Sequence, residues 1–414
     1  MKVAVTPPFT CRSCGSARSQ LVLSLGATPL ANSLPRDPKA GAEATFPLDL
    51  VFCPDCTLVQ ITETVPPEQL FSDYLYFSSF SETMLAHARE LVTKFTRSLA
   101  LGPDALAMEI ASNDGYLLQY YKERGVPVLG IEPAQNVARV AIEQRGVPTL
   151  PEFFSLALAR KLSAEGRRAD VLHANNVLAH VADLNGFVAG IREVLTPEGV
   201  AALEFPYLGD MIDRCEFDTI YHEHLCYYSA GALKHLFERH GLKLVAADRV
   251  PIHGGSLLLQ VARAESSRTP DASIAALLDE ERARGMGTFE FYAGFARRVL
   301  EIKEQLRELL GRLKGEGKRI AAYGAAAKGS TLLNVFGIGT ETLEFVADRS
   351  TYKQGRYMPG VRVPIVAPER LGESMPDYAL LLTWNFADEI LRQQDDYRRR
   401  GGKFIIPIPE VRVV

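Results

Sequence analysis

Glu109-Ile110-Ala111-Ser112-Asn113-Asp114-Gly115-Tyr116-Leu117-Leu118 spans the end of an apolar run, Ala105–Ile110, and the start of a helical pattern. A buried strand that turns through small and polar residues into a helix is the opening of a βαβ unit. The pattern then repeats. Val128–Ile131, Val171–Ala174 and Val200–Phe205 are short apolar strands separated by amphipathic helices, the last preceded by a Thr196-Pro197-Glu198-Gly199 turn. Two late strands, near Leu242–Asp248 and Leu257–Ala262, close the sheet. Such alternation predicts parallel strands, with ligands at their carboxyl ends.

The loop after the first strand has the placement of a glycine-rich dinucleotide loop, but Ala111 and Asn113 occupy its first two glycine positions. Close backbone approach to a pyrophosphate prefers glycine, so that ligand is disfavoured. S-adenosylmethionine has no pyrophosphate, and its amino-acid end and ribose tolerate a more polar loop. Glu132 ends the second strand, 23 residues after Glu109, where a carboxylate suits a ribose diol; Pro133 then turns the chain. Asn175 and Asn176 follow the third strand, with His180 a turn further on. Glu109, Ala111, Asn113, Gly115, Glu132, Pro133, Asn175 and Asn176 are the candidate cofactor-binding residues.

Upstream, Cys11-Arg12-Ser13-Cys14 and Cys53-Pro54-Asp55-Cys56 are two Cys-x-x-Cys pairs separated by 38 residues. In a reducing compartment such pairs read as metal ligands before disulfides. Four thiolates on two knuckles suit a closed, tetrahedral, structural zinc site made by Cys11, Cys14, Cys53 and Cys56. The intervening segment reads as turn-rich, with Gly26, Pro29, Pro35, Pro38 and Gly41. It lacks a Lys/Arg run, which argues against a nucleic-acid module. An aromatic stretch (Phe71, Tyr74, Tyr76, Phe77, Phe80) leads into a helical pattern of Met84, Leu85, Ala88, Leu91, Val92 and Phe95.

Downstream, residues 269–313 are helical, interrupted at Gly285-Met286-Gly287, with Phe291, Phe295, Val299, Ile302, Leu306, Leu309 and Leu313 on one apolar face. From Arg319 a second α/β pattern starts. Ile320–Tyr323 is a strand, Gly324–Val335 a Gly/Ala-rich turn and helix, and Leu343–Ala347, Tyr378–Thr383 and Phe404–Ile406 are further strands. In Tyr323-Gly324-Ala325-Ala326-Ala327-Lys328-Gly329, small residues let backbone amides approach an anion and Lys328 adds charge; an NAD site or mere strand–helix packing would look the same. Asp348, Trp384 and Asn385 lie at the same carboxyl edge.

The densest chemistry is Phe217-Asp218-Thr219-Ile220-Tyr221-His222-Glu223-His224-Leu225-Cys226-Tyr227-Tyr228-Ser229, which holds two of the chain's eight histidines, a glutamate and three phenols. Buried polar groups need partners and bring little stability. Proton transfer uses these side chains, His above all. If the segment is extended, His222 points away from its neighbours and is scaffold.

Glu-Ile-Ala-Ser-Asn-Asp-Gly, Asn-Asn-Val-Leu-Ala-His-Val (175–181), Tyr-His-Glu-His (221–224), His-Gly-Gly-Ser (253–256), Tyr-Gly-Ala-Ala-Ala-Lys-Gly (323–329) and the cysteine pairs together resemble the sugar C-methyltransferases that act on nucleotide-linked keto-deoxysugars, the group containing the tetronitrose-pathway C-3 methyltransferase. The resemblance covers nearly the whole chain. It implies an α/β multidomain protein: an N-terminal zinc-binding domain (1–70), a central class I S-adenosylmethionine-dependent methyltransferase domain (71–267), a helical linker (268–313) and a C-terminal Rossmann-like domain (314–414) that helps hold the nucleotide-sugar. It further implies that His224 is the base, that Tyr221 and Glu223 orient it or bind the sugar, and that His180 and Tyr76 complete the catalytic set. His253, Gly254, Ser256, Lys328, Asp348, Trp384 and Asn385 become substrate-binding candidates, and a dTDP-linked 4-keto sugar the expected partner, with C-3 favoured over C-5 as the methylated carbon although the residues alone fix neither.

Composition sets the outer bounds. The 414 residues exceed one ordinary core, 47% are apolar and 23% charged, and the net charge is −4. No broad basic surface for nucleic acid is expected, nor a membrane span, and the N-terminus is too short in apolar run for a signal peptide; a cytoplasmic protein is expected. Three domains could bury a complete site within one chain, so a monomer suffices. The competing readings are methylation of another small acidic substrate, a zinc-containing binding protein with a vestigial methyltransferase domain, and an oxidoreductase using the C-terminal loop.

Overall fold

The computed structural model describes residues 9–39, 41, 43–71, 77–252 and 254–414. Between the cysteine pairs lies more regular structure than the turn residues predict: β1 (Gln20–Pro29) and β2 (Thr45–Phe52) pair antiparallel, and β3 (Val59–Ile61) follows. Gly26, at φ +75°, is absorbed where the β1–β2 register shifts between Ser24 and Ala27, so it marks a bulge and not a chain reversal. Val22, Leu23, Leu25, Leu48, Leu50 and Phe52 are buried and give this small sheet its core.

The central sheet is built from β4 (Ala107–Ile110), β5 (Val128–Ile131), β6 (Thr149–Leu150), β7 (Ala169–Asn175) and β8 (Leu195–Pro206), all parallel. β9 (Cys226–Tyr227) leaves it to become the fourth strand of the zinc-domain sheet, in the order β1-β2-β3-β9. β10 (Leu242–Val250) and β11 (Ser256–Arg263) return antiparallel against β8, giving the order β10-β11-β8-β7-β4-β5-β6. The Thr196–Gly199 stretch is not a separate turn. It lies within β8 at a register shift against β7, between Ala169 and Val171. One face of the sheet is covered by the helix Glu82–Ser98, whose Met84, Ala88, Leu91, Val92 and Phe95 are buried and whose N-terminus is capped by the Ser81 hydroxyl. Leu156–Ala164, Leu184–Val194 and Ala230–Arg239 are helices whose buried residues join the main core.

The connecting helices, Ala272–Ala283 and Phe295–Gly315, are docked along their length. Glu281 is 5% exposed and accepts the amides of Ala230 and Gly231 (2.7 and 2.8 Å), a carboxylate at a helix N-terminus. On the second helix Phe295, Val299, Ile302, Leu306, Leu310 and Leu313 face inward; Leu310, rather than the expected Leu309, is the buried member of that turn. The last sheet comprises β12 (Ile320–Tyr323), β13 (Val346–Ala347), β14 (Ile365–Val366), β15 (Tyr378–Leu381), β16 (Lys403–Ile406) and antiparallel β17 (Arg412–Val413), in the order β14-β13-β12-β15-β16-β17. β12 is flanked by strands that follow it in opposite directions, so the crevice beyond its carboxyl end is the topological switch point. Among the described residues no helix is long and apolar enough to cross a membrane.

Candidate active site and metal centre

The four cysteines of the two knuckles converge. Their sulfurs all lie within 4.8 Å of one another, with Cys11–Cys56 at 3.5 Å and Cys14–Cys53 at 3.6 Å. A tetrahedral zinc with bonds of about 2.3 Å spaces its sulfurs about 3.8 Å apart, so the donor set fits the ion without a further ligand. Gln60, fully buried, donates to Cys11 Sγ (3.0 Å) and accepts from the Arg12 amide (3.0 Å). The backbone of the same Gln60 pairs with Cys226 of β9. Two residues before Cys226 stands His224, so the strand that follows the His-Glu-His segment is paired to the strand whose Gln60 contacts the metal knuckle.

At the carboxyl edge of the central sheet the backbone is held in unusual conformations. Ala111, Asn113 and Asn176 have φ of +51°, +50° and +56°, and Gly115 has +77°. Left-handed non-glycine residues are uncommon and concentrate at functional sites; three of them border this one edge. Both Glu132 oxygens accept backbone amides, from Asn113 and Ala134 at 2.9 Å each, which ties the first loop to the second strand end and leaves further lone pairs. Glu109 is 1% exposed, and burial, with Glu132 and Asp114 nearby, pushes its pKa well above the carboxylate range. Its Oε2 and the Asn175 Oδ1 are buried acceptors lacking a hydrogen-bond partner among the described residues. A ligand carrying an ammonium group and hydroxyls suits such a set, and S-adenosylmethionine is one. Pro133 is half-buried beside these residues.

Tyr221–His224 is a turn and not an extended segment, with the His224 amide bonded to the Tyr221 carbonyl (2.8 Å). That brings the two rings together, with centroids 4.1 Å apart. His224 Nδ1 lies 2.8 Å from the Thr219 carbonyl, which can only accept, so Nδ1 carries the proton. Nε2 is then the basic nitrogen, and the Tyr221 hydroxyl donates to it at 2.9 Å. His180 stands edge-on to His224 with centroids 4.8 Å apart; burial drives its pKa down to about 4, with backbone groups of Glu223 and Asn176 partly opposing. Glu223 is 4% exposed, accepts from Asn32 Nδ2 at 2.7 Å, and has its pKa lifted to about 7 by burial, with Asn32 and Lys353 opposing.

The remaining members of the cluster are structural. His222 is 1% exposed, bonds the Pro47 carbonyl through Nε2 (3.1 Å) and meets Phe46 edge-on. Tyr228 donates to the Leu178 carbonyl (2.9 Å). Cys226 is buried and its pKa rises to about 11, so it stays a thiol.

The C-terminal candidates fall into two groups. Lys328 Nζ lies 3.9 Å from Glu216 Oε2 and 4.9 Å from the ring centre of Trp384, whose indole N–H donates to Asp218 Oδ2 at 2.7 Å. Gly254, at φ +97°, packs so tightly on Glu216 that a Cβ would sit 2.6 Å from its carboxylate. These residues border the loop that carries Tyr221–His224. Asp348 accepts the amides of Ala325 (2.6 Å) and Ser350 (2.7 Å), shaping the loop after β12. The Ser256 hydroxyl is buried and donates to the Ile252 carbonyl (3.0 Å), and Asn385 is half-buried in the turn after β15. Tyr76 and His253 lie outside the described residues. Asn32, Glu216 and the Thr219 carbonyl were not anticipated. Nothing in the sequence marks Asn32 beyond a turn, whereas Glu216 and Asp218 carried a usable signal as acids next to apolar residues.

Three family models tile the chain: a zinc binding domain (residues 11–71), a methyltransferase domain (84–247) and a C-methyltransferase C-terminal domain (251–409). C-methyltransferase NovU of Streptomyces niveus is 37% identical over 100% of this chain and 99% of its own length. A ubiquinone biosynthesis O-methyltransferase of Bartonella tribocorum is 29% identical over 29% of this chain and 51% of its own. Among solved structures, magnesium protoporphyrin IX methyltransferase of Synechocystis PCC 6803, with bound SAH, covers 43% of this chain and 83% of its own at 14% identity and a TM-score of 0.34. Full-length likeness to one C-methyltransferase, with a zinc domain ahead of the methyltransferase domain, settles the assignment: the chain belongs to the zinc-containing, S-adenosylmethionine-dependent C-methyltransferases.

Proposed function

We propose that the substrate is a nucleotide-linked 4-keto-deoxysugar, dTDP-linked by preference, and that the carbon alpha to its ketone is methylated, C-3 in preference to C-5, in a biosynthetic route to unusual deoxysugars. The observation that carries this reading is the His224 tautomer. Its Nδ1–H is committed to the Thr219 carbonyl, so Nε2 offers a lone pair beside a phenol and a second imidazole. Carbon is methylated only as a carbanion equivalent, and a ketone supplies one as its enolate.

Four residues divide the work. His224 Nε2 takes the alpha proton. Tyr221, whose hydroxyl leaves Nε2 when substrate is bound, donates to the enolate oxygen. His180, held neutral by burial, is a second N–H donor that does not compete as a base. Glu223 orients the loop from beneath, and Tyr76 is assigned to the same site. S-adenosylmethionine, held by Glu109, Ala111, Asn113, Gly115, Glu132, Pro133, Asn175 and Asn176, supplies an electrophilic methyl group. Alignment of carbon with that methyl is worth roughly 7–11 kcal/mol.

The substrate's nucleotide diphosphate is assigned to the edge bearing Lys328, Asp348, Trp384 and Asn385, and His253, Gly254 and Ser256 are assigned to substrate binding as well. Asp348 and Ser256 act here by shaping backbone. The division into 1–70, 71–267, 268–313 and 314–414 and a cytoplasmic setting belong to the same reading. Incubation with methyl-labelled S-adenosylmethionine and a panel of dTDP- and GDP-keto sugars tests it. Label in a dTDP-keto sugar, dependent on His224, is expected; label only in a non-sugar acid would overturn it.

A further inference from the structure

Residues 216–220 lead into the Tyr221–His224 turn, and four of the five are gripped by the C-terminal domain. Lys328 faces Glu216 at 3.9 Å. Phe336 stacks on Phe217, with centroids 4.8 Å apart. Trp384 donates to Asp218 (2.7 Å), and the Thr331 hydroxyl reaches the Ile220 carbonyl (3.4 Å). The fifth, Thr219, holds the His224 Nδ1–H. Asp218 is fully buried, and a buried carboxylate is costly unless a donor and a cation attend it. The indole N–H is the donor, and Lys328, over the face of the same ring, is the cation.

We propose that Trp384 and Asp218 are positioning residues for the base: the indole–carboxylate bond fixes the Phe217–Thr219 turn, and the Thr219 carbonyl so placed sets the His224 tautomer. The C-terminal domain thus acts on the chemistry through a buried contact as well as by binding substrate. This rests on the reading of His224 as the base. Trp384 is the chain's single tryptophan, and Lys328, which touches its ring, also lies on the edge assigned to the nucleotide.

Histidine-selective 15N NMR on the full chain tests the inference, the His224 signals being identified by their loss in His224→Asn. The wild type is expected to show the Nδ1–H tautomer at His224. Trp384→Phe, which removes the donor and keeps an aromatic ring, is expected to give mixed tautomers and about a tenfold to hundredfold lower kcat, the usual range for groups that orient a reacting residue. S-adenosylmethionine affinity should stay within about twofold. Asp218→Leu, which removes the acceptor of the indole N–H, should likewise give mixed tautomers and a lower kcat with cofactor affinity kept; it carries the test if Trp384→Phe does not fold, and an unchanged His224 tautomer in folded Asp218→Leu would overturn the proposal. Unchanged His224 signals in folded Trp384→Phe would also overturn it. A changed tautomer with undiminished turnover would instead sink His224 as the base, so the two failures are distinguishable.

Discussion

Glu223 is held where a carboxylate is expensive, and replacing it should make the protein more stable at high pH while impairing it as an enzyme. The side chain is 4% exposed, and burial lifts its pKa from 4.5 to about 7 despite the Asn32 amide and the Lys353 charge. A group with a raised folded pKa binds more protons folded than unfolded, so stability falls as pH rises from 4.5 towards 7, and the loss is complete above that. The size of the rise corresponds to roughly 3 kcal/mol. Glu223→Gln keeps an oxygen for Asn32 Nδ2 and carries no charge at any pH. It should therefore match the wild type in urea at about pH 4 and exceed it by up to about 3 kcal/mol at about pH 8. Trp384 emission is a suitable probe, because its indole bonds Asp218 on the same loop. An equal difference at the two pH values, or a less stable variant at pH 8, would refute the burial argument.

Loss of the metal should be felt at the loop that carries His224. In Cys56→Ser, or after chelation of zinc, amide exchange at Cys226 and Tyr227 should accelerate, because β3 loses its anchor through Gln60 and Cys11. Turnover should fall by at least about tenfold, and unchanged exchange at β9 would contradict the link. Gly254→Ala places a Cβ 2.6 Å from the Glu216 carboxylate at φ +97° and should lower stability by about 1–3 kcal/mol in thermal unfolding. Gly311→Ala, in the interior of the Phe295–Gly315 helix with nothing within 4 Å, should raise it by about 0.5–1 kcal/mol.

How much was legible depends on the distance over which each feature is encoded. The parallel strands β4, β5, β7 and β8 are apolar runs of local origin, and their positions in the sequence match the sheet closely. β1 and β2 were hidden because a bulge glycine and the nearby prolines mimic turn chemistry, and β6, β14 and β17 are two-residue strands with no periodicity to read. The cysteine pairs declare a metal site by spacing alone. The partners of the His-Glu-His loop do not: Asn32 meets Glu223 across 191 residues and Trp384 meets Asp218 across 166. Trp384 reads from the sequence as a substrate-binding candidate at the carboxyl edge, yet it is 7% exposed with its N–H committed to a buried acid. Only the fold brings these residues together.

The central claim is that His224 removes a proton from carbon beside a ketone. Incubation of the protein with a dTDP-4-keto-deoxysugar in deuterium oxide, without methyl donor, measures that step alone. The account predicts deuterium at the alpha carbon with the wild type and none with His224→Asn, whose S-adenosylmethionine affinity stays intact. Wild-type exchange persisting undiminished in His224→Asn would contradict it.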